Sequence, residues 1–141
     1  MSVVVDSSVA AKWFLEEGGS AEAEALLGHD DAIAPDLVMA EVLNAIWKNV
    51  RMGRIVAAQM KFVAAALPRR FSTIVPLHAV AVRAGEIAIE LDQPVYDCLY
   101  VALAGQERCA FVTADERLYR KTRRTKFAKI VTPLVNEARH A

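Results

Sequence analysis

Three consecutive β-branched residues, Val3, Val4 and Val5, run straight into an aspartate, Asp6, and no other stretch constrains the fold of this chain as tightly. A strand that is apolar at every position has no face to give to water, so it must be covered on both sides, as strands of parallel sheets are. Asp6 then stands at the carboxyl end of that strand, where open α/β sheets place their binding crevices. The same pattern recurs downstream. Strands at 3–6, 32–34, 73–75, 110–113 and 130–131 are separated by helical stretches over about 8–15, 20–27, 35–50, 54–67, 78–91, from 94 onward, and 115–123. Ser20 caps one of these helices, Pro35 fits the first turn of the next, and Gly18-Gly19 and Gly53 break the chain between them. Strands alternating with helices predict an α/β fold, a three-layer α/β/α sandwich around a short, mainly parallel sheet with right-handed crossovers.

The 141 residues hold no internal repeat, low-complexity tract or linker-like composition, so they are expected to form a single domain over 1–141. No apolar run approaches the ~20 residues of a membrane span, and the start lacks the basic-then-apolar order of a leader. A soluble cytoplasmic protein with no membrane partner is the expectation. Cys98 and Cys109 have no CxxC spacing and sit in apolar patterns, which suits buried free thiols and supports neither a disulfide scaffold nor a zinc site. Net charge is zero, from 17 basic and 17 acidic residues, but the signs are segregated. Between Trp13 and Trp47 there are acids and no Lys or Arg; from Arg117 to Lys129 there are seven bases and no acid. A neutral total is therefore compatible with a local basic patch for phosphates, and equally with a merely solvated surface.

Four acids occupy strategic positions: Asp6 after the first strand, Glu41 in the second turn of the Pro35 helix, Asp97 in the first turn of the Pro94 helix, and Asp115 two residues past the fourth strand. If the first and fourth strands are neighbours, these carboxylates converge on one edge of the sheet. Anions so placed raise one another's pKa unless a cation compensates. With no His/Cys grouping, that cation is a hard, oxygen-seeking one, Mg²⁺ or Mn²⁺, suited to in-line phosphoryl transfer. Each acid has a structural reading as well. Asp6 and Asp115 can cap helices and Asp97 can be a favourable first-turn charge. Glu41 is harder to place that way, because it interrupts the apolar series Leu37, Val38, Met39, Val42, Leu43 and Ile46, where a carboxylate needs a partner. Asn44, three residues on, can orient it. Spacing alone leaves both readings open.

The segments Val4-Val5-Asp6-Ser7-Ser8, Pro35-Asp36-Leu37 leading to Glu41-Val42-Leu43-Asn44, Tyr96-Asp97-Cys98-Leu99-Tyr100-Val101-Ala102-Leu103-Ala104, and Phe111-Val112-Thr113-Ala114-Asp115-Glu116-Arg117-Leu118, in this order and spacing, resemble the PIN-domain family. Within that family they are similar to the VapC-type ribonuclease toxins of toxin–antitoxin pairs. The resemblance covers nearly the whole chain. It implies that Asp6, Glu41, Asp97 and Asp115 form an acidic metal pocket for Mg²⁺ or Mn²⁺, with Asp6 and Asp97 as direct ligands and Glu41 and Asp115 acting through waters. Thr113, Ser7 and Asn44 are then supporting groups. It further implies an endoribonuclease that leaves 5′-phosphates on structured RNA of the tRNA or rRNA class. A homodimer and a VapB-like antitoxin whose tail lies on the helical surface over the pocket are also implied. Cys98 departs from the small residue usual there, which affects packing more than chemistry.

Given that resemblance, Arg117, Arg120, Lys121, Arg123 and Arg124 follow Asp115 closely enough to flank the pocket and hold RNA phosphates. Trp13, Phe14 and Trp47 are more readily core or interface than base-stacking platforms, and His29, His78 and His140 suit surface or cap positions. The helices from Pro35 to Leu67 carry more apolar surface than a small sheet can cover, including Val56, Met60, Phe62 and Val63, which points to a partner there. Three alternatives remain. A receiver domain needs an aspartate after the third strand, where this chain has Ile74-Val75-Pro76-Leu77. A haloacid-dehalogenase-type phosphatase needs a second aspartate where Ser8 stands. A non-catalytic binding module keeps the acids without using them.

Overall fold

Val3, Val4 and Val5 are buried, as an all-apolar strand requires, and the strand they form, β1 (Ser2–Val5), lies at the centre of a five-stranded sheet. The computed structural model describes residues 1–29 and 31–134. Every strand pair is parallel, and the order is β3-β2-β1-β4-β5, with β2 at Asp31–Pro35, β3 at Thr73–Val75, β4 at Ala110–Thr113 and β5 at Val131–Pro133. The chain winds outward from β1 through β2 to β3, then crosses back to place β4 on the other flank of β1. The order reverses between β1 and β4, and crevices open at the carboxyl ends of strands flanking such a reversal. A receiver-like sheet has the order 2-1-3-4-5, so this topology removes that alternative.

Helices cover the sheet. The short α1 (Ser7–Ala10) runs into a 3₁₀ turn at Ala11–Trp13, followed by α2 (Ser20–His29). Next come α3 (Leu37–Arg51), α4 (Ala58–Ala66), α5 (Ala81–Leu91), α6 (Val95–Glu107) and α7 (Glu116–Thr122). The central helix is α6, which packs on β1, β2 and β4 and carries α5 against it. Its residues from Cys98 to Ala104 are all buried, which an ordinary one-faced helix cannot achieve. Tyr100 of α6 stacks on Phe111 of β4 with ring centroids 5.6 Å apart and planes within 9°. α3 packs on β2, α1 and α4, and α7 packs on β4 and β5.

Several boundaries differ from the sequence expectation: the helix expected over 8–15 is α1 with a 3₁₀ turn ending at Trp13, that over 78–91 begins at Ala81, and the last strand is Val131–Pro133. Two more have clear local causes. Pro35 does not open a helix; it is the buried last residue of β2, paired with Val75, and α3 begins two residues later. A proline at a strand end forgoes one ladder bond, and Asp36 resumes the ladder by donating its N–H to the Val75 carbonyl at 2.8 Å. The helix expected from residue 54 starts at Ala58, because Gly53 at φ +74° turns the chain out of α3 and residues 54–57 bring it back. Both cysteines are free thiols, Cys98 buried and Cys109 half-buried. Among the described residues no helix is long and apolar enough to cross a membrane. Trp47, Met52, Val56 and Phe62 are exposed on the α3–α4 side. On α5, Val82 and Ile89 are 82% and 86% exposed, an apolar pair that the sequence pattern did not single out.

Candidate active site

Asp6 is the residue after β1, and its carboxylate is held by groups from both flanks of the strand reversal. Ser8 donates its hydroxyl to Oδ1 at 2.5 Å, Val9 its N–H to Oδ1 at 3.2 Å, and Thr113, at the end of β4, its hydroxyl to Oδ2 at 2.6 Å. The two hydroxyls are themselves oriented. The Ala114 N–H donates to Ser8 Oγ at 3.0 Å and the Asp115 N–H to Thr113 Oγ1 at 3.0 Å, so each hydroxyl accepts from the backbone after β4 and turns its own proton to Asp6. With 5% of its surface exposed, Asp6 is nonetheless costly to ionise: burial pushes its pKa up to about 6 against the opposition of these donors, and Asp97 adds to the rise.

Glu41 projects from the second turn of α3, and the partner its apolar setting demands is the Tyr100 hydroxyl, which donates to Oε1 at 2.5 Å. The Ser7 hydroxyl lies beside both and favours their charged forms. Burial raises the Glu41 carboxyl above its ordinary range, the Tyr100 hydroxyl opposes that, and Asp97 reinforces it. Asp97, half-buried in the first turn of α6, accepts from Gln93 Nε2 at 3.1 Å; burial raises its pKa and the nearby Asp115 raises it further. Asp115 caps α7 through Oδ1, accepting from the N–H groups of Arg117 at 3.0 Å and Leu118 at 3.2 Å. Asp6 likewise caps α1. For these two acids, capping a helix and standing at the carboxyl edge of the sheet are one arrangement rather than alternatives.

Asp97 is thus the electrostatic hub, felt by Asp6 and Glu41 and itself feeling Asp115. Among the described residues none of the four acids forms an ion pair; the bridges present are Lys12–Glu17, Arg70–Glu24 and Lys126–Glu90. Nor do any three carboxylate, imidazole or thiol groups among the described residues gather tightly enough to enclose an ion by themselves. The donor set fits a hard cation all the same: it is all oxygen, it carries uncompensated negative charge, and Mg²⁺ and its kin keep several waters and take few protein ligands.

The remaining expectations divide. Thr113 and Ser7 stand beside the acids as expected. Asn44 does not: it is exposed on α3 and makes no hydrogen bond among the described residues, and Glu41 is held by Tyr100 instead. Arg117, Arg120, Lys121 and Arg124 are exposed on or just after α7, with Lys121 donating to the Asp92 carbonyl at 2.7 Å. Arg123 turns inward instead. It donates to the Val131 carbonyl at 2.6 Å and lies 3.8 Å from the Tyr119 ring centroid, tying α7 to β5. Trp13 is buried, with its indole N–H on the Ala23 carbonyl at 2.8 Å, and Phe14 packs edge-on to Phe62, whereas Trp47 is exposed beneath Arg51. His78 is exposed, and His140 falls outside the described residues. Ser8, Tyr100 and Gln93 were missed as site residues. Ser8 was visible as the second hydroxyl of Asp6-Ser7-Ser8, while Tyr100 was hidden inside a run that reads as core.

Residues 3–124 match the family model for the PIN domain. The chain is 33% identical over 116 residues to ribonuclease VapC9 of Mycobacterium tuberculosis (strain ATCC 25618 / H37Rv), covering 82% of this chain and 87% of that protein. It is 30% identical over 136 residues to ribonuclease VapC3 of Pyrobaculum aerophilum, covering 94% of this chain and all of the relative. In fold it is similar to a toxin–antitoxin complex from Klebsiella pneumoniae, with a TM-score of 0.68 at 15% identity over 95% of this chain and 98% of that one. Match to the family model from β1 through α7, and identity to VapC proteins over most of both lengths, lead to one conclusion: the chain belongs to the PIN-domain family, among its VapC-type members.

Proposed function

We propose that this protein is a Mg²⁺- or Mn²⁺-dependent endoribonuclease, the toxin of a VapBC-type pair, acting as one domain in the cytoplasm. The observation that carries this is the set of four carboxylates, Asp6, Glu41, Asp97 and Asp115, gathered around the strand reversal with no cationic side chain among the described residues paired to them. The names of its VapC relatives as ribonucleases support the same chemistry. Asp6 and Asp97 would hold the ion directly, and Glu41 and Asp115 through waters. A bound ion of this kind neutralises a phosphodiester and lowers the pKa of a water beside it. The chain's own residues do the rest. Ser8 and Thr113 keep the Asp6 oxygens aimed out of β1, Tyr100 fixes Glu41, and Gln93 fixes Asp97. Arg117, Arg120, Lys121 and Arg124 bind phosphates of a structured RNA of the tRNA or rRNA class, positioning it without reading sequence.

A VapB-like antitoxin would lie on the α3–α4 side, where Trp47, Met52, Val56 and Phe62 are exposed, and a homodimer has a second apolar surface available in Val82 and Ile89 of α5. The test is cleavage of a total-RNA pool by wild-type and Asp6→Asn protein, with Mg²⁺, Mn²⁺ or EDTA, mapping new 5′ ends. Discrete products bearing 5′-phosphates, dependent on metal and absent with Asp6→Asn, are expected. Equal cleavage by both proteins, or none by either, would favour the non-catalytic binding module.

A further inference from the structure

A groove of about 400 Å³ leaves the carboxylate site along one side of α3. Ser7, Glu41 and Ala114 line its inner end, and Lys48, Asn49 and Arg54 its outer end. Glu41, Ala45, Lys48, Asn49 and Met52 are spaced by threes and fours, so they form one stripe of the helix. Along that stripe Lys48 lies about 10 Å from Glu41 at the helical rise, too far to touch a phosphate held at the acids and well placed for the next ones along a strand. The third cation of the groove, Lys12, is already engaged, donating to the Gly18 carbonyl at 2.6 Å and pairing with Glu17 at 3.4 Å. Lys48 and Arg54 are different. Both are exposed, and among the described residues neither side chain makes a hydrogen bond or an ion pair.

The topology gives these two cations a direction. α3 leaves the carboxyl edge of the sheet after β2 and α7 leaves it after β4, and β1 with Asp6 lies between those strands. The basic residues of α7 and the Lys48/Arg54 pair therefore flank the acids from two sides. A polyanion crossing the site would meet positive charge on the way in and on the way out. A peptide would need the groove's carboxylates and cations matched one by one.

We propose that the α3 groove is a second phosphate track, in which Lys48 and Arg54 hold the RNA backbone on the side of the scissile bond away from α7. The proposal rests on the ribonuclease reading above and deepens it. Because both contacts go to phosphates, they add affinity and register but no base preference.

The test measures binding, with no cleavage involved. Asp6→Asn protein in EDTA is titrated with a fluorescein-labelled single-stranded RNA at several salt concentrations, alone and with Lys48→Ala/Arg54→Ala added. A control carries Arg108→Gly/Lys129→Ala, which removes the same charge from the amino-terminal edge of the sheet; glycine suits the left-handed φ of +54° at position 108. Loss of two phosphate contacts should lower the slope of log K against log salt by about 1.4, at about 0.7 per phosphate on a single strand, in the groove variant and not in the control. Equal losses in both would mean a general field effect and overturn the proposal, as would an unchanged slope in the groove variant. No RNA binding by the Asp6→Asn parent even at low salt would instead sink the ribonuclease reading itself. Circular dichroism of each variant keeps a folding defect from passing as a binding one.

Discussion

Removing the charge of Asp6 should stabilise this protein even as it abolishes its activity. The carboxylate is buried, and its pKa rises from the ordinary 3.8 to about 6 on folding. The ionised form is thus disfavoured in the native state by about 3 kcal/mol. The sign follows from linkage. Below pH 3.8 the group is protonated in both states and costs nothing; as pH rises toward 6 the unfolded chain ionises first and native stability falls; above 6 the full cost is present. Asp6→Asn removes that cost. It also leaves the Thr113 hydroxyl facing an amide N–H₂ instead of an acceptor, a loss of about 1–2 kcal/mol. The net expectation near pH 7.5 is a gain of about 1–2 kcal/mol. Near pH 4.5 the ionisation cost has shrunk to about 1 kcal/mol, and the variant loses its advantage. Urea unfolding of both proteins in EDTA at the two pH values reads this directly, provided the m-values agree. A variant less stable than wild type at pH 7.5, or an offset that ignores pH, would refute the account of Asp6 as a carboxylate ionised against its surroundings.

Metal binding should reverse that balance: Mg²⁺ or Mn²⁺ should raise the melting temperature of wild type but not of Asp6→Asn, and differential scanning fluorimetry should show the effect fading as pH falls below about 6, where Asp6 takes up its proton. Tyr100→Phe deprives Glu41 of its donor without altering the stacking on Phe111, so unfolding should cost about 1–2 kcal/mol and the acid limb of the pH–rate profile should move upward. Asp115→Asn and Asp115→Ala should both impair cleavage, yet they should differ in urea unfolding: asparagine can still cap α7, whereas alanine should cost about 1 kcal/mol.

What the sequence discloses here follows from how local its causes are. The strands at Thr73–Val75 and Ala110–Thr113 are bounded as their β-branched composition predicts, and Asp6, Asp97 and Asp115 sit at element ends that capping and strand chemistry mark by themselves. Glu41 was visible as a charge in the wrong place, and its cost required an unnamed partner. That partner, Tyr100, is 59 residues away and lies in a run whose apolar character conceals a polar tip. Ser7 and Ser8 could not be ranked from sequence, because which hydroxyl reaches Asp6 depends on where the backbone after β4 delivers its N–H groups. Arg123 reads as one more base in a basic run, and only the return of β5 beneath α7 turns it inward. Pro35 had two lawful positions, at a strand end or a helix start, and pairing with β3 decided between them.

The bond from Thr113 to Asp6 joins residues 107 apart in the chain, and β1 is flanked by β4 on that side. On a ribosome the half-sheet β3-β2-β1 has all its residues long before β4 emerges, and at about 5–20 residues per second the nascent chain spends several seconds with Asp6 at an open strand edge. Over that interval Asp115 does not yet exist, and Asp97 is added only toward its end. A fragment released early would carry the first two acids and no site. The order of synthesis therefore keeps the four carboxylates apart until the fourth strand has docked: the cluster is the last thing the chain assembles, not the first.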